Sequence, residues 1–246
     1  DDFKVWTIGF EGGLSRSGSD GTIENGDQHF KRVSGRIQLI GPVSQIDLFF
    51  GVQEKFFGWP NMYTPFNFNE TEDLKARLLI LNHKQYYAQD SIFEISTYYR
   101  RHNDHYIFSR ENPDIFEAFH ETDVTSVALS GRHAQTTSFA LNYSAQFIAD
   151  GIESTTLENN FTSRHYYKVS VLPEYRMDLR SDQQLTYRLG VTFDDTNRDS
   201  SATSLIGDIT MMTINTVDTS QTVYLSYAHA NKFPVYPTIV SINSAG

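Results

Sequence analysis

The chain has 246 residues, 30 acidic against 20 basic side chains, a net charge of −10 and no cysteine. That charge argues against a nucleic-acid partner, because gripping phosphates needs a basic surface. The lack of cysteine excludes disulfides, thiol catalysis and cysteine-ligated metal. No run reaches the ~18 consecutive apolar residues of a transmembrane helix.

Taken in chain order, the sequence alternates apolar and polar residues with the period-two pattern of strands having two different faces. The segments fall near 3–14, 29–40, 45–56, 71–84, 92–102, 122–134, 138–149, 165–178, 184–195, 204–216 and 220–231. Within 29–40, Val33, Gly35, Ile37 and Leu39 alternate with Arg32, Ser34, Arg36 and Gln38. Within 45–56, Ile46, Leu48, Phe50 and Val52 alternate with Asp47, Phe49, Gly51 and Gln53, and Leu185 to Phe193 repeats the pattern. No stretch of comparable length shows the 3.6-residue period of an amphipathic helix. The fold class is all-β.

Many segments exceed the five or six residues typical of soluble strands, and match the roughly nine to eleven that cross a bilayer. Connections alternate between tight (Gly41–Ser44, Gln135–Thr137, Leu179–Gln183, Val217–Thr219) and long (Ser15–Gln28, Phe57–Glu70, Asn103–Glu121, Asp150–Arg164). Short turns on one side and long loops on the other are the layout of an outer-membrane barrel. Aromatic pairs at segment ends (Tyr86 and Tyr87, Tyr98 and Tyr99, Tyr166 and Tyr167) are expected to form interfacial girdles. Arg32, Arg36, Asp47, Lys75, Arg77, Lys168 and Arg188 take the polar parity, and are expected to face a lumen holding water or a polar plug. Single-chain bacterial barrels have an even strand number, so a count of eleven implies either one segment miscounted or a piece of a larger barrel.

The run Phe56-Phe57-Gly58-Trp59-Pro60-Asn61-Met62-Tyr63-Thr64-Pro65-Phe66, followed by Glu70-Thr71-Glu72-Asp73-Leu74, resembles a loop-and-strand motif of TonB-dependent outer-membrane receptors, nearest their vitamin B12 transporter-like branch. Tyr98-Tyr99-Arg100-Arg101, Gly131-Arg132-His133 and the stretch from Ser226-Tyr227-Ala228 to Lys232-Phe233-Pro234-Val235-Tyr236-Pro237 are similar to other segments of that family. The resemblance implies residues 1–246 as a partial antiparallel transmembrane β-barrel, about 11 strands of a 22-stranded receptor. The plug domain and the C-terminal strands would lie outside the chain, whose tail Ser241–Gly246 reads as loop.

The function so implied is TonB-dependent uptake of a metal chelate, cobalamin or an iron siderophore, with outer-membrane lipid and, through the plug, the TonB system as partners. No catalysis is implied. Phe57, Trp59, Tyr63 and Phe66 would contact the ligand. Asp20, Glu24 and Asp27 correspond to a loop that binds calcium in cobalamin receptors, and hard oxygen ligands at short spacing suit that ion.

Other constellations carry less. His102, Asp104 and His105, with His120 or Glu121, read as loop residues rather than a metal site. Asp194 and Asp195 are adjacent in a strand and point to opposite faces, so they cannot form an acid–base pair. Two further readings stay open: an independent small outer-membrane barrel acting as porin or hydrolase, and a soluble β-sandwich binding module.

Overall fold

The computed structural model describes residues 5–157, 162–216 and 219–228. Eleven strands form one sheet in chain order: β1 (Thr7–Ser19), β2 (Gln28–Ile40), β3 (Ser44–Pro60), β4 (Asn69–Ala88), β5 (Ser91–Ile107), β6 (Glu117–Ala134), β7 (Phe139–Ser154), β8 (Ser163–Arg180), β9 (Gln183–Thr196), β10 (Asp199–Thr216) and β11 (Thr219–Ala228). The one helical element among the described residues is a 3₁₀ turn, Pro113–Ile115, and no helix is long and apolar enough to cross a membrane. Nothing in this sheet supports a 22-strand count. The turn at 217–218 and the stretch from Lys232 to Gly246 lie outside the described residues.

All eleven expected strands exist, but most are longer than their apolar alternation, reaching 20 residues in β4. The additions lie mainly at the long-loop ends, as in Ser15–Ser19, Phe57–Pro60, Asn103–Ile107 and Asp150–Ser154. In Ser15–Ser19 the backbone ladder continues after the side chains have become polar on both faces, and in Phe57–Pro60 it continues through aromatic residues. Long connections consequently shrink to 20–27, 61–68, 108–116 and 155–162. Asn25, Asn61 and Asn67 take positive φ in the first two loops, a conformation asparagine tolerates better than most residues.

Contacts divide the chain into two compact units. The first comprises Asp1–Asn82, Thr97–Ser126 and Ala149–Arg164; the second comprises His83–Ser96, Val127–Ile148 and His165–Gly246. In the first, β1, β2 and β3 lock in a register that stacks Ile8–Leu39–Ile46, Phe10–Ile37–Leu48, Gly12–Gly35–Phe50 and Leu14–Val33–Val52 as successive rows on one face. The Phe50 ring lies over Gly35, where an added Cβ would come within 2.5 Å of it. The opposite face carries Ser15–Arg32–Gln53, Gly13–Ser34–Gly51, Glu11–Arg36–Phe49 and Gly9–Gln38–Asp47.

In the second unit the same alternation gives apolar rows Val171–Val191–Leu205, Tyr175–Tyr187–Ile209–Leu225 and Met177–Leu185–Met211–Val223. Polar rows Lys168–Asp194–Ala202, Ser170–Thr192–Ser204 and Glu174–Arg188–Asp208–Ser226 occupy the other face.

Burial inverts the usual order. Leu14 is 84% exposed, Phe10 77% and Leu189 69%, and the other aliphatic side chains of these rows are partly to well exposed, none of them buried. Ser170, Glu174, Thr192, Asp194, Thr196 and Ser204 are buried, whereas among the described residues the buried apolar side chains are Ala118, Val124 and Ala140 alone.

Candidate functional site

On the polar face of the second unit, charges pair across strands. Glu174, 4% exposed, accepts from Arg132 Nη2 at 2.8 Å, from Asn142 Nδ2 at 3.1 Å and from Arg176 Nη2 at 3.3 Å. Arg188 donates twice to Asp208 Oδ1, at 3.0 and 2.9 Å. Lys168 Nζ lies 3.7 Å from Asp194, which also accepts the Tyr166 hydroxyl. Each carboxylate is tied to a neighbouring strand, so the network fixes register as well as neutralising charge.

The first unit's polar face has one comparable knot, Asp47 accepting from Arg36, from Gln38 at 2.7 Å and from Gln45 at 2.6 Å. By contrast, Arg32 and Arg100 have no ion pair or hydrogen bond among the described residues, and with Phe49 and Gly51 they line a cavity of about 230 Å³.

The apolar face of this unit ends abruptly. One row past Leu14–Val33–Val52 comes Arg16–Lys31–Glu54, then Gly18–His29–Phe56. On β4, Asp73, Lys75 and Arg77 share the parity of the exposed Leu79 and Leu81. This corrects the sequence expectation for Lys75 and Arg77. The expectation puts them on the polar face, whereas they share the apolar face and lie where its aliphatic rows end. The girdle expectation is refined in the same way. Tyr87 stacks on His133 at 5.9 Å, and Phe147 lies 5.0 Å from Tyr167, on the apolar parity. Their neighbour Tyr166 turns inward to Asp194.

The long-loop ends hold the residues singled out for ligand and metal. Glu70, fully buried, accepts the Tyr63 and Thr64 amides at 2.7 and 3.0 Å and the Thr64 hydroxyl at 2.5 Å. Tyr63 Oη donates to Glu72 at 2.7 Å, and that bond is the main reason its pKa is pushed up to about 12. The Tyr63 ring stands edge-on to Tyr106 at 5.5 Å, and Phe66 to Phe108 at 6.5 Å. The motif around 56–74 is thus a loop folded onto the acidic residues that follow it. Tyr63 and Phe66 are gathered on β5 with outward faces exposed; Phe57 and Trp59 lie apart on β3.

Asp27 is committed elsewhere. Arg110 clamps it through both carboxylate oxygens, at 2.5 and 3.1 Å, and this bond holds its pKa below the ordinary value. Asp20 and Glu24 remain exposed in the 20–27 loop. Among the described residues no three His, Asp or Glu side chains come together as a metal group. His105 pairs with Glu117 at 2.9 Å and Arg101 with Glu121 at 3.0 Å and Asp123 at 2.6 Å, while Asp104 Oδ1 is buried without a hydrogen-bond partner. Asp194 and Asp195 face opposite sides as expected, Asp195 accepting the Thr196 amide at 2.9 Å.

Sequence spacing missed the Asp27–Arg110 clamp and also the contact of His120 Nδ1 with Ser154 Oγ at 2.6 Å. The latter is a cross-strand pair 34 residues apart, which no local motif reveals. Ser154 Oγ also accepts the Thr156 amide at 3.1 Å, so the hydroxyl closes the turn after β7, and no carboxylate orients the imidazole among the described residues.

No family model matches the chain, and no curated protein matches it. Among solved structures, the β domain of the Bordetella autotransporter BrkA aligns over 92% of this chain and 91% of that chain, at 7% identity and a TM-score of 0.36. That likeness fixes neither family nor function. The resemblance to TonB-dependent receptors is corrected accordingly: no family or curated match upholds it, the structure named above is titled an autotransporter β domain, and chelate uptake falls with it. The motif that suggested it is accounted for here by the Glu70-anchored loop.

Proposed function

We propose that this chain forms wall strands of a bacterial outer-membrane β-barrel, with its aliphatic face against lipid and its polar face along an aqueous passage for small solutes. The inverted burial supports this reading most directly. A soluble sandwich presses its apolar rows together between two sheets, whereas this chain has one sheet with those rows open. Left in water, contiguous open rows of this kind are an aggregation surface; in hydrocarbon they are matched to their solvent. Four rows span six residues along β1, from Ile8 to Leu14, about 20 Å at ~3.4 Å per residue, near the ~25 Å apolar band of such barrels. Strand pairing satisfies the backbone polar groups that hydrocarbon would leave bare. The reading assigns no catalytic step.

Adjacent residues on β3 provide the test. In a Trp6→Phe/Trp59→Phe background, Phe50→Trp and Phe49→Trp each place one indole on opposite faces. After refolding into phosphatidylcholine vesicles, brominated lipid should quench the first, and aqueous acrylamide the second. Release of an entrapped sugar from the same vesicles reports the passage. Equal quenching of both indoles by acrylamide, with none by bromolipid, would sink the reading.

A further inference from the structure

We propose that the end of the apolar face in the first unit is a binding site for phosphate groups carried by lipid headgroups. The inference rests on the membrane reading above and goes beyond it by naming which lipid chemistry the wall selects. Its basis is the abrupt boundary: the register puts Arg16 and Lys31 in one cross-strand row directly after Leu14, Val33 and Val52. Lys75 joins them around a cavity of about 440 Å³ that Glu54, Phe56 and Asp73 also line. In a chain of net charge −10, a cation-rich patch needs a reason, and here it sits at headgroup depth on the lipid side.

The ion pairs inside the patch are loose. Lys31 Nζ is 3.6 Å from Glu54 and Lys75 Nζ 3.9 Å from Asp73, all four side chains well exposed. Arg16 and Arg77 have no partner among the described residues. Around that cavity Arg16, Lys31, Lys55 and Lys75 stand against Glu54 and Asp73, which leaves the patch positive by two. A guanidinium binds phosphate oxygens in pairs and lysine supplies compact charge. A free phosphate would meet the same groups, but only a headgroup would be delivered to them by burial of its acyl chains against Leu14, Val33 and Val52.

The experiment compares the full chain with Arg16→Ser/Lys31→Ser/Lys75→Ser on two vesicle types, phosphatidylcholine alone and phosphatidylcholine doped with bisphosphorylated lipid A. Each cation near an anionic membrane surface shifts partitioning about fivefold. The two carboxylates are common to both chains, so loss of three cations should weaken the preference for doped vesicles by on the order of a hundredfold. Glu54→Gln should strengthen the preference, high salt should erase it, and millimolar inorganic phosphate should leave it in place. Insertion into both vesicle types with no preference would overturn the site alone, as would a triple variant that keeps the preference or free phosphate that abolishes it. Insertion into neither would overturn the membrane reading and the site with it.

Discussion

Ile37→Arg separates a wall in lipid from a sheet in water more sharply than any removal of a contact. Ile37 sits between Phe10 and Leu48 in the second aliphatic row and is 37% exposed. If that face met water, arginine there would change stability by no more than about 0.5 kcal/mol, as exposed substitutions generally do. If it meets hydrocarbon, the cost is about 2–4 kcal/mol near the bilayer centre and about 0–1 kcal/mol near the headgroups. With four rows from Ile8–Leu39–Ile46 to Leu14–Val33–Val52, the centre falls close to the Ile37 and Gly35 rows. The expected series is therefore about 2–3 kcal/mol for Ile37→Arg, about 1 kcal/mol for Val33→Arg and close to zero for Ser34→Arg, which projects from the other face. Guanidinium unfolding from phosphatidylcholine vesicles measures it, the midpoint shifting at unchanged slope. A flat series within 0.5 kcal/mol, or a Ser34→Arg cost equal to that of Ile37→Arg, would refute the assignment of faces.

Three further outcomes follow from the polar groups. Glu174→Gln leaves Arg132 and Arg176 facing a neutral amide on a closed-in part of the sheet, and should cost about 2 kcal/mol of unfolding free energy, partly recovered when Arg132→Gln is added. Glu70→Ala removes the acceptor of two amides and a hydroxyl, and should open the 61–68 loop to proteolysis at a local cost of about 1–3 kcal/mol while the strands stay protected. The Asp27–Arg110 pair should respond to acid. Because the folded pKa lies below the ordinary 3.8, its stabilisation is complete above that value and disappears as pH falls through the lowered one. Hydrogen exchange at the Gly58 amide, which donates to the Asp27 carbonyl at 2.8 Å, should therefore be pH-independent in protection above about 4 and lose protection below, while Asp27→Asn, costing about 1 kcal/mol, should remove that transition.

The strands were legible because period two is written wherever one face is apolar: Val33 to Leu39 and Leu185 to Phe193 fall where the alternation puts them. Their ends were not. Ser15–Ser19 is polar on both parities, so no alternation marks it, yet its amides and carbonyls still pair. Lys75 and Arg77 were misassigned because parity alone gives a face without a depth, and depth decides whether a charge on that face is tolerable. The Glu70 loop was legible as a motif but not as chemistry, since the acidic partner follows the aromatic run that drew attention. The Asp27–Arg110 clamp joins positions 83 apart, and only the fold brings them together.

Depth along the strand also limits where recognition can occur. Below the Arg16–Lys31–Glu54 row one face of β1 to β3 is apolar through to Ile8–Leu39–Ile46, and on the proposed membrane reading such a surface suits every acyl chain and carries no specificity. The polar face there is held by Asp47 with Arg36, Gln38 and Gln45, while Glu11 and Arg32 have no ion pair or hydrogen bond among the described residues. Above that row both faces carry polar and aromatic side chains: Tyr63 and Phe66 over β5, Asp27 against Arg110, Lys31 beside Glu54. The strands are extended into this zone although nothing apolar requires it. Building a ladder there fixes the loops at their roots, so the short segments 20–27 and 61–68 start from rigid backbone. On the proposed membrane reading, selectivity belongs to the loop-side extension, and passage to the part beneath it.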